Sequence, residues 1–230
     1  MSREREGLGR FPQARPGPAG GLRDANRRAR TAELLRAAVG LFLARGVEAV
    51  TIDEIAQAAG MAKGSFYTYF HDKADLVATL LAPVRSRLVE ALVRCEGRLR
   101  AARSTEGLRE AYLALAAELV EVVFDQPEVS RMYLQECRGP GVGARVPVGE
   151  LAEEIRSRSG ALTEAARSSG LLRDLDVRVT AAAVVGAAEH LVFRALSGDD
   201  FGAPGAALGA LVSMVVEGLA ASEAPLPGSA

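Results

Sequence analysis

The chain has no tryptophan, two histidines and two cysteines, and each shortage closes off a class of chemistry. Cys95 and Cys137 have neither the paired spacing of a zinc ribbon nor a neighbouring histidine, so they read as two reduced thiols rather than a disulfide framework or a metal site. His71 and His190 build no histidine cluster, and neither stands with a serine or cysteine as a base beside its nucleophile. No glycine-rich phosphate loop is present. Aromatics make up 5% of a chain that is 49% hydrophobic, and a core of Leu, Ala and Val favours helices packed on helices over a β-sandwich. The longest apolar run, Ala181 to Ala188, is far shorter than the roughly 18 residues of a membrane span, and residues 1–24 lack the apolar centre of a signal peptide. These absences predict an all-α, cytoplasmic, non-enzymatic chain with no cofactor, no metal and no membrane partner.

Charge is unevenly spread. The net charge of the 230 residues is −1, yet residues 1–73 hold twelve Lys and Arg against eight Asp and Glu, while the remainder holds sixteen against twenty-one. The basic end is the one suited to nucleic acid. Residues 1–24, with Pro12, Pro16, Pro18 and many arginines, form no regular apolar face and are expected to be a disordered basic arm. From about Ala25 to Arg45, Leu34, Ala38, Leu41 and Phe42 recur at helical spacing, and Gly46 closes that helix.

The segment Thr51 to Phe70 carries the strongest local pattern. Thr51 followed by Glu54 is a capping box, and Val50 and Ile55 are spaced as a hydrophobic staple. The helix they open ends at Gly60, which can take the left-handed turn, and a second helix follows from about Ala62 to Phe70. Two short helices joined this way read as a helix-turn-helix whose second helix enters a DNA major groove. On it Lys63 suits a phosphate or guanine edge, and Gly64 permits close backbone approach. Ser65, Tyr67, Thr68 and Tyr69 carry hydroxyls for phosphate oxygens, while Phe66 and Phe70 face inward.

The run from Leu34 to Leu76, through LLRAAVGLF, TIDEIA, AAGMAKGSFYTYF and HDKADL, resembles the DNA-binding domain of the tetracycline-repressor (TetR) family. The resemblance implies that Arg27 and Arg28 lie in an arm near the minor groove or backbone, and that Thr51, His71 and Lys73 join the DNA contacts. Lys73, in the first turn of a helix whose dipole opposes its charge, is expected to meet a phosphate. Ala62 stands where the family usually has Ser or Thr, so that hydroxyl contact is not carried over.

Asp72 caps the next helix, in which Pro83 cannot donate to Thr79 and is expected to introduce a bend. Further helices are predicted from about Thr105 to Phe124, Pro127 to Gly139, Val148 to Ser169, Asp176 to Leu196 and Pro204 to Ala221, with a loop over Gly139 to Pro147. The division is thus 1–24 arm, 25–72 helix-turn-helix domain, 73–222 helical ligand-binding and dimerisation domain, and 223–230 frayed tail. Tyr112, Phe124, Met132, Tyr133, Glu136 and His190 are conspicuous in an Ala/Leu/Val background and are the expected lining of an apolar ligand pocket. The apolar stripes of the last two helices are expected to pair with a second copy in a four-helix bundle, as a palindromic DNA site demands. The resulting expectation is a homodimeric transcriptional regulator that binds a double-stranded operator, most simply as a repressor, and is released by a small, largely apolar effector. The alternatives are a DNA-binding architectural protein without effector, and a helical enzyme, for which no residue speaks.

Overall fold

The computed structural model describes residues 21–173, 175–203 and 205–219, and their framework is helical. The expected arm and frayed tail fall mostly outside them. Three helices form the N-terminal unit: α1 (Leu22–Arg45), α2 (Ile52–Ala58) and α3 (Lys63–Phe66). α1 begins three residues earlier than the sequence suggests, so Arg27 and Arg28 lie on a helix, exposed. α4 (Lys73–Ala101) leads into a bundle of α5 (Thr105–Asp125), α6 (Pro127–Glu136), α7 (Val146–Ser168), α8 (Val177–Leu196) and α9 (Ala206–Leu219). A single 3-10 turn, Gly143–Arg145, sits inside the segment predicted to be loop, and α7 starts at its end.

Each start has a local cause. Asp72 accepts from the Asp75 N–H, Ser104 from the Gly107 N–H and Asp176 from the Arg178 and Val179 N–H groups, so donors left unpaired by helix geometry are satisfied by short polar side chains. Pro127 occupies the first turn of α6, where its missing N–H costs nothing. Pro83 lies inside α4, which continues through it. The proline is exposed, so the Thr79 carbonyl it leaves without a partner at that point faces the wetter side of the helix.

Leu34, Ala38, Phe42, Ile55, Phe66 and Phe70 are buried together as expected. Their cluster extends without a break through Leu76, Val77, Leu80 and Val84 of α4 to Met132, Tyr133, Leu151 and Ile155. A second cluster, built on Ala91, Cys95, Leu99, Leu108 and Leu162, fills the far end of the bundle. α4 runs the length of both and packs along α5 and α7. The apolar run Ala181 to Ala188 lies inside the longer α8, 20 residues in all, in which an 18-residue stretch has a mean hydropathy of 1.4, enough by length and composition alone to cross a membrane. Here it packs against α6, α7 and α9.

Candidate functional site

The putting-together of the reading head starts at Thr51. Its hydroxyl accepts from the Glu54 N–H at 3.3 Å, and the Glu54 carboxylate accepts from the Thr51 N–H at 2.8 Å, completing the capping box. Glu54 also takes a hydrogen bond from Arg45, and these donors hold its pKa down to about 2. Val50 and Ile55 are both fully buried, as the staple requires. At the other end Gly60 has φ +68°, the Gly60 N–H donates to Gln57 and the Met61 N–H to Ala56. That pair of bonds is a Schellman motif, and it turns the chain into α3.

α3 is shorter than the sequence implies. Only Lys63–Phe66 is α-helical; Thr68 and Tyr69 then donate to Ser65 and Phe66, three residues back, as in a 3-10 turn. The tightening keeps Phe66 and Phe70 buried with ring centroids 5.6 Å apart. Lys63, Gly64, Tyr67 and Thr68 are exposed and Ser65 is half-buried. Tyr67 stands edge-on to Phe66 with 55% of its surface open. Tyr69 packs partly against the core. His71 is exposed beside Asp72.

Lys73 is placed differently from expectation. Its Nζ donates to the carbonyls of Val47, Glu48 and Val50 at 2.8, 3.1 and 2.7 Å. Three donors meet three acceptors, which explains a cation at this helix start without a phosphate. Thr51, likewise, has its hydroxyl engaged with Glu54.

The same α1–α2 loop is held from the side of the bundle. The Val47 N–H donates to Glu136 Oε1 at 3.0 Å, Arg145 Nη1 lies 3.4 Å from Glu136 Oε2, and the Arg145 N–H donates to Glu48 Oε1 at 3.2 Å. Gly46 has φ +82°, and a Cβ there would lie 3.1 Å from Glu136 Oε1. The positive φ favours glycine there, and a side chain would in addition make the Glu136 carboxylate give by a few tenths of an ångström. Glu136 holds this seam and is not among the residues lining the bundle cavity.

A cavity of about 210 Å3 lies within the bundle, walled by α4 to α9. Of the expected lining residues, Tyr112 and Tyr133 face it. Met132 is fully buried in the core, Phe124 is 53% exposed, and His190 is exposed on the outer side of α8 rather than buried. Leu88, Leu115, Ile155, Val184 and Val212 supply much of the wall, together with Ser130 and a single carboxylate, Glu189. Burial raises the pKa of both tyrosine hydroxyls and of Glu189. It also pushes the Cys95 thiol up to about 12 and the Cys137 thiol up to about 11, so neither is a thiolate near neutrality.

The profile of the family described as "Bacterial regulatory proteins, tetR family" matches residues 34–80, the span of this reading head and the start of α4. Residues 34–80 therefore carry a tetR-family segment. It is 38% identical over 136 residues to the transcriptional activator FasR of Mycolicibacterium smegmatis, covering 57% of this chain and 59% of FasR. It is 32% identical over 128 residues to the transcriptional repressor BepR of Brucella suis, covering 54% of this chain and 57% of BepR. The likeness thus spans little more than half of these relatives' length. Among solved structures, the complex of SmeT with triclosan has the same fold, with a TM-score of 0.63 at 18% identity over 87% of this chain and 96% of that one.

The tetR-family match covers the segment where helix caps and turns were written in local sequence. The cavity walls were missed because Leu88, Leu115 and Val184 carry only an apolar stripe, which a filled core shows equally. Glu189 did leave a signal, as an acid interrupting an otherwise apolar face.

Proposed function

We propose that this chain regulates transcription in the cytoplasm as a homodimer, binding a palindromic operator through α3 and releasing it when a small apolar effector enters the bundle. One observation carries the reading: a short helix and its closing turn, which bear Lys63, Gly64, Ser65, Tyr67 and Thr68, are joined by the Glu136 and Lys73 seam to a domain with an apolar cavity. A Cβ at Gly64 would meet nothing within 4 Å. The fold itself does not demand glycine there, whereas a backbone drawn close to a DNA strand does. Repression follows if the empty protein is the DNA-binding form. FasR, an activator, and BepR, a repressor, stand at comparable distance and leave the sign to experiment. The SmeT complex with triclosan supports an apolar effector in a bundle of this fold.

The test compares binding to a palindrome from the DNA flanking the gene with binding to a random duplex of equal length, at one salt concentration. Tight binding to the palindrome alone is expected. Tyr67→Ala and Lys63→Ala weaken it with the helical circular dichroism unchanged, and Lys63→Ala lowers the salt slope by about one if it meets a phosphate. Unchanged operator affinity in both variants removes α3 as reader; equal affinity for both duplexes points instead to an architectural DNA-binding protein.

A further inference from the structure

The cavity holds polar groups that the surrounding protein does not satisfy. Ser130 is 4% exposed, lines the cavity, and its Oγ has no hydrogen-bond partner. One helical turn further along α6, the Tyr133 hydroxyl donates to Glu189 Oε1 across a long 3.5 Å. Glu189 is the one charged residue among the described cavity-lining residues, set between Val185, Ala188 and Val192 of α8. A buried hydroxyl without a partner and a carboxylate with one long contact each cost free energy, and natural interiors leave such groups where something else completes them.

We propose that the effector is an apolar molecule bearing a protonated amine, whose ammonium donates to the Glu189 carboxylate and to Ser130 Oγ while its hydrocarbon part fills the Leu and Val walls. This rests on the cavity being the effector site. A carboxylate only accepts, and Ser130 Oγ is free to accept, so a group rich in N–H donors completes both. An alcohol brings one donor and no charge, and an anionic headgroup brings like charge to Glu189 in a poorly solvated wall. Charge-assisted hydrogen bonds are the stronger kind, and desolvation favours pairing the carboxylate over leaving it single. Glu189 also borders a hollow on the outer side of α8, lined by Cys137, Arg138, Arg156 and His190. Burial raises the Glu189 pKa, and Arg138 and Arg156 act on it from there in the opposite sense. They would repel an ammonium from that outer hollow, whereas no other charged residue lines the inner cavity among those described.

Octylamine, octan-1-ol and octanoate, alike in their apolar part, are titrated calorimetrically into the full chain and into Glu189→Gln and Ser130→Ala. The wild type binds octylamine about tenfold or more tighter than octan-1-ol, and octanoate most weakly. Glu189→Gln brings octylamine down to the level of octan-1-ol while octan-1-ol binding persists, which also reports an intact cavity. Ser130→Ala weakens octylamine more than octan-1-ol. Octan-1-ol or octanoate binding the wild type as tightly as octylamine overturns the amine assignment and leaves the cavity reading standing. An amine preference that survives in Glu189→Gln overturns it too, by placing the cation elsewhere. Failure of all three to bind removes the cavity as the effector site and the inference with it.

Discussion

A lysine ammonium has three N–H donors, and Lys73 spends them on three carbonyls of the α1–α2 loop. Two of those contacts, to Val47 and Val50, are partly buried, so the loop is closed around a charge rather than around an apolar plug. Methionine keeps the length of the stem and removes the donors. Lys73→Met should therefore cost about 2–3 kcal/mol in urea unfolding, the worth of hydrogen bonds to a charged group. The salt slope of operator binding should stay as in the wild type, since no phosphate contact is lost; a slope lower by about one would restore Lys73 to the DNA. The residue shows what sequence alone leaves out. A cation in a first helical turn is unfavourable for its own helix, and both a phosphate and a set of foreign carbonyls repair that. The carbonyls lie 23 to 26 positions back in the chain, a separation that no local pattern records.

Elements whose ends are capped by neighbours were legible, and those defined by distant contacts were not. The Thr51 box and Gly60 turn fix α2 from within a few residues, and the ends of α5 and α8 follow from Ser104 and Asp176 in the same way. α3 came out shorter because its closing turn is set by seating Phe66 and Phe70 in a core shared with α1. α6 was expected as a helix, but the reach of its contacts was not. Ser130, Tyr133 and Leu134 face the cavity, and Glu136, at its last turn, holds the Val47 N–H of the reading head. Ten residues of helix thus reach from the cavity wall to the helix-turn-helix unit. α4 makes the same journey over a longer span, with Pro83 between its DNA-proximal start and its cavity-facing Leu88 and Leu92. Rigid elements with few alternatives carry coupling best. Titrating the tightest-binding of the octyl probes against operator-bound protein separates the two routes. Pro83→Ala, which restores a helical N–H, should shift the release midpoint more than it shifts operator affinity without probe. Glu136→Gln, which weakens the seam, should do so as well. A release curve identical to wild type takes the altered residue out of the transmission.

For the molecule as a whole the decisive surface is the one a single chain leaves open. α8 has Ala181 as its one buried residue, although one side of it walls the cavity through Val184, Ala188 and Val192. On its other side Val179 is 68% exposed, and on α9 Met214 is 66% exposed. Exposed apolar surface on two adjacent helices suits a contact face, and in the homodimer proposed above a two-fold axis through it would bring four helices together, each copy burying the same patch on the other. The two helix-turn-helix units of that dimer would then face one side of a DNA duplex at a fixed separation, which a palindrome with half-sites about 34–36 Å apart requires. A few ångströms of change in that separation breaks simultaneous engagement, so the effector needs only to prefer the spread arrangement, and operator DNA must in return weaken effector binding. Sedimentation equilibrium should find two copies of the wild type. Val179→Glu combined with Met214→Glu places like charges across the axis and should yield a helical monomer. Its operator affinity should fall by about 100-fold or more, because the second head is no longer held at high effective concentration beside its half-site. A dimer that survives both substitutions moves the interface elsewhere, and a wild-type monomer that binds the palindrome as tightly removes the two-headed reading.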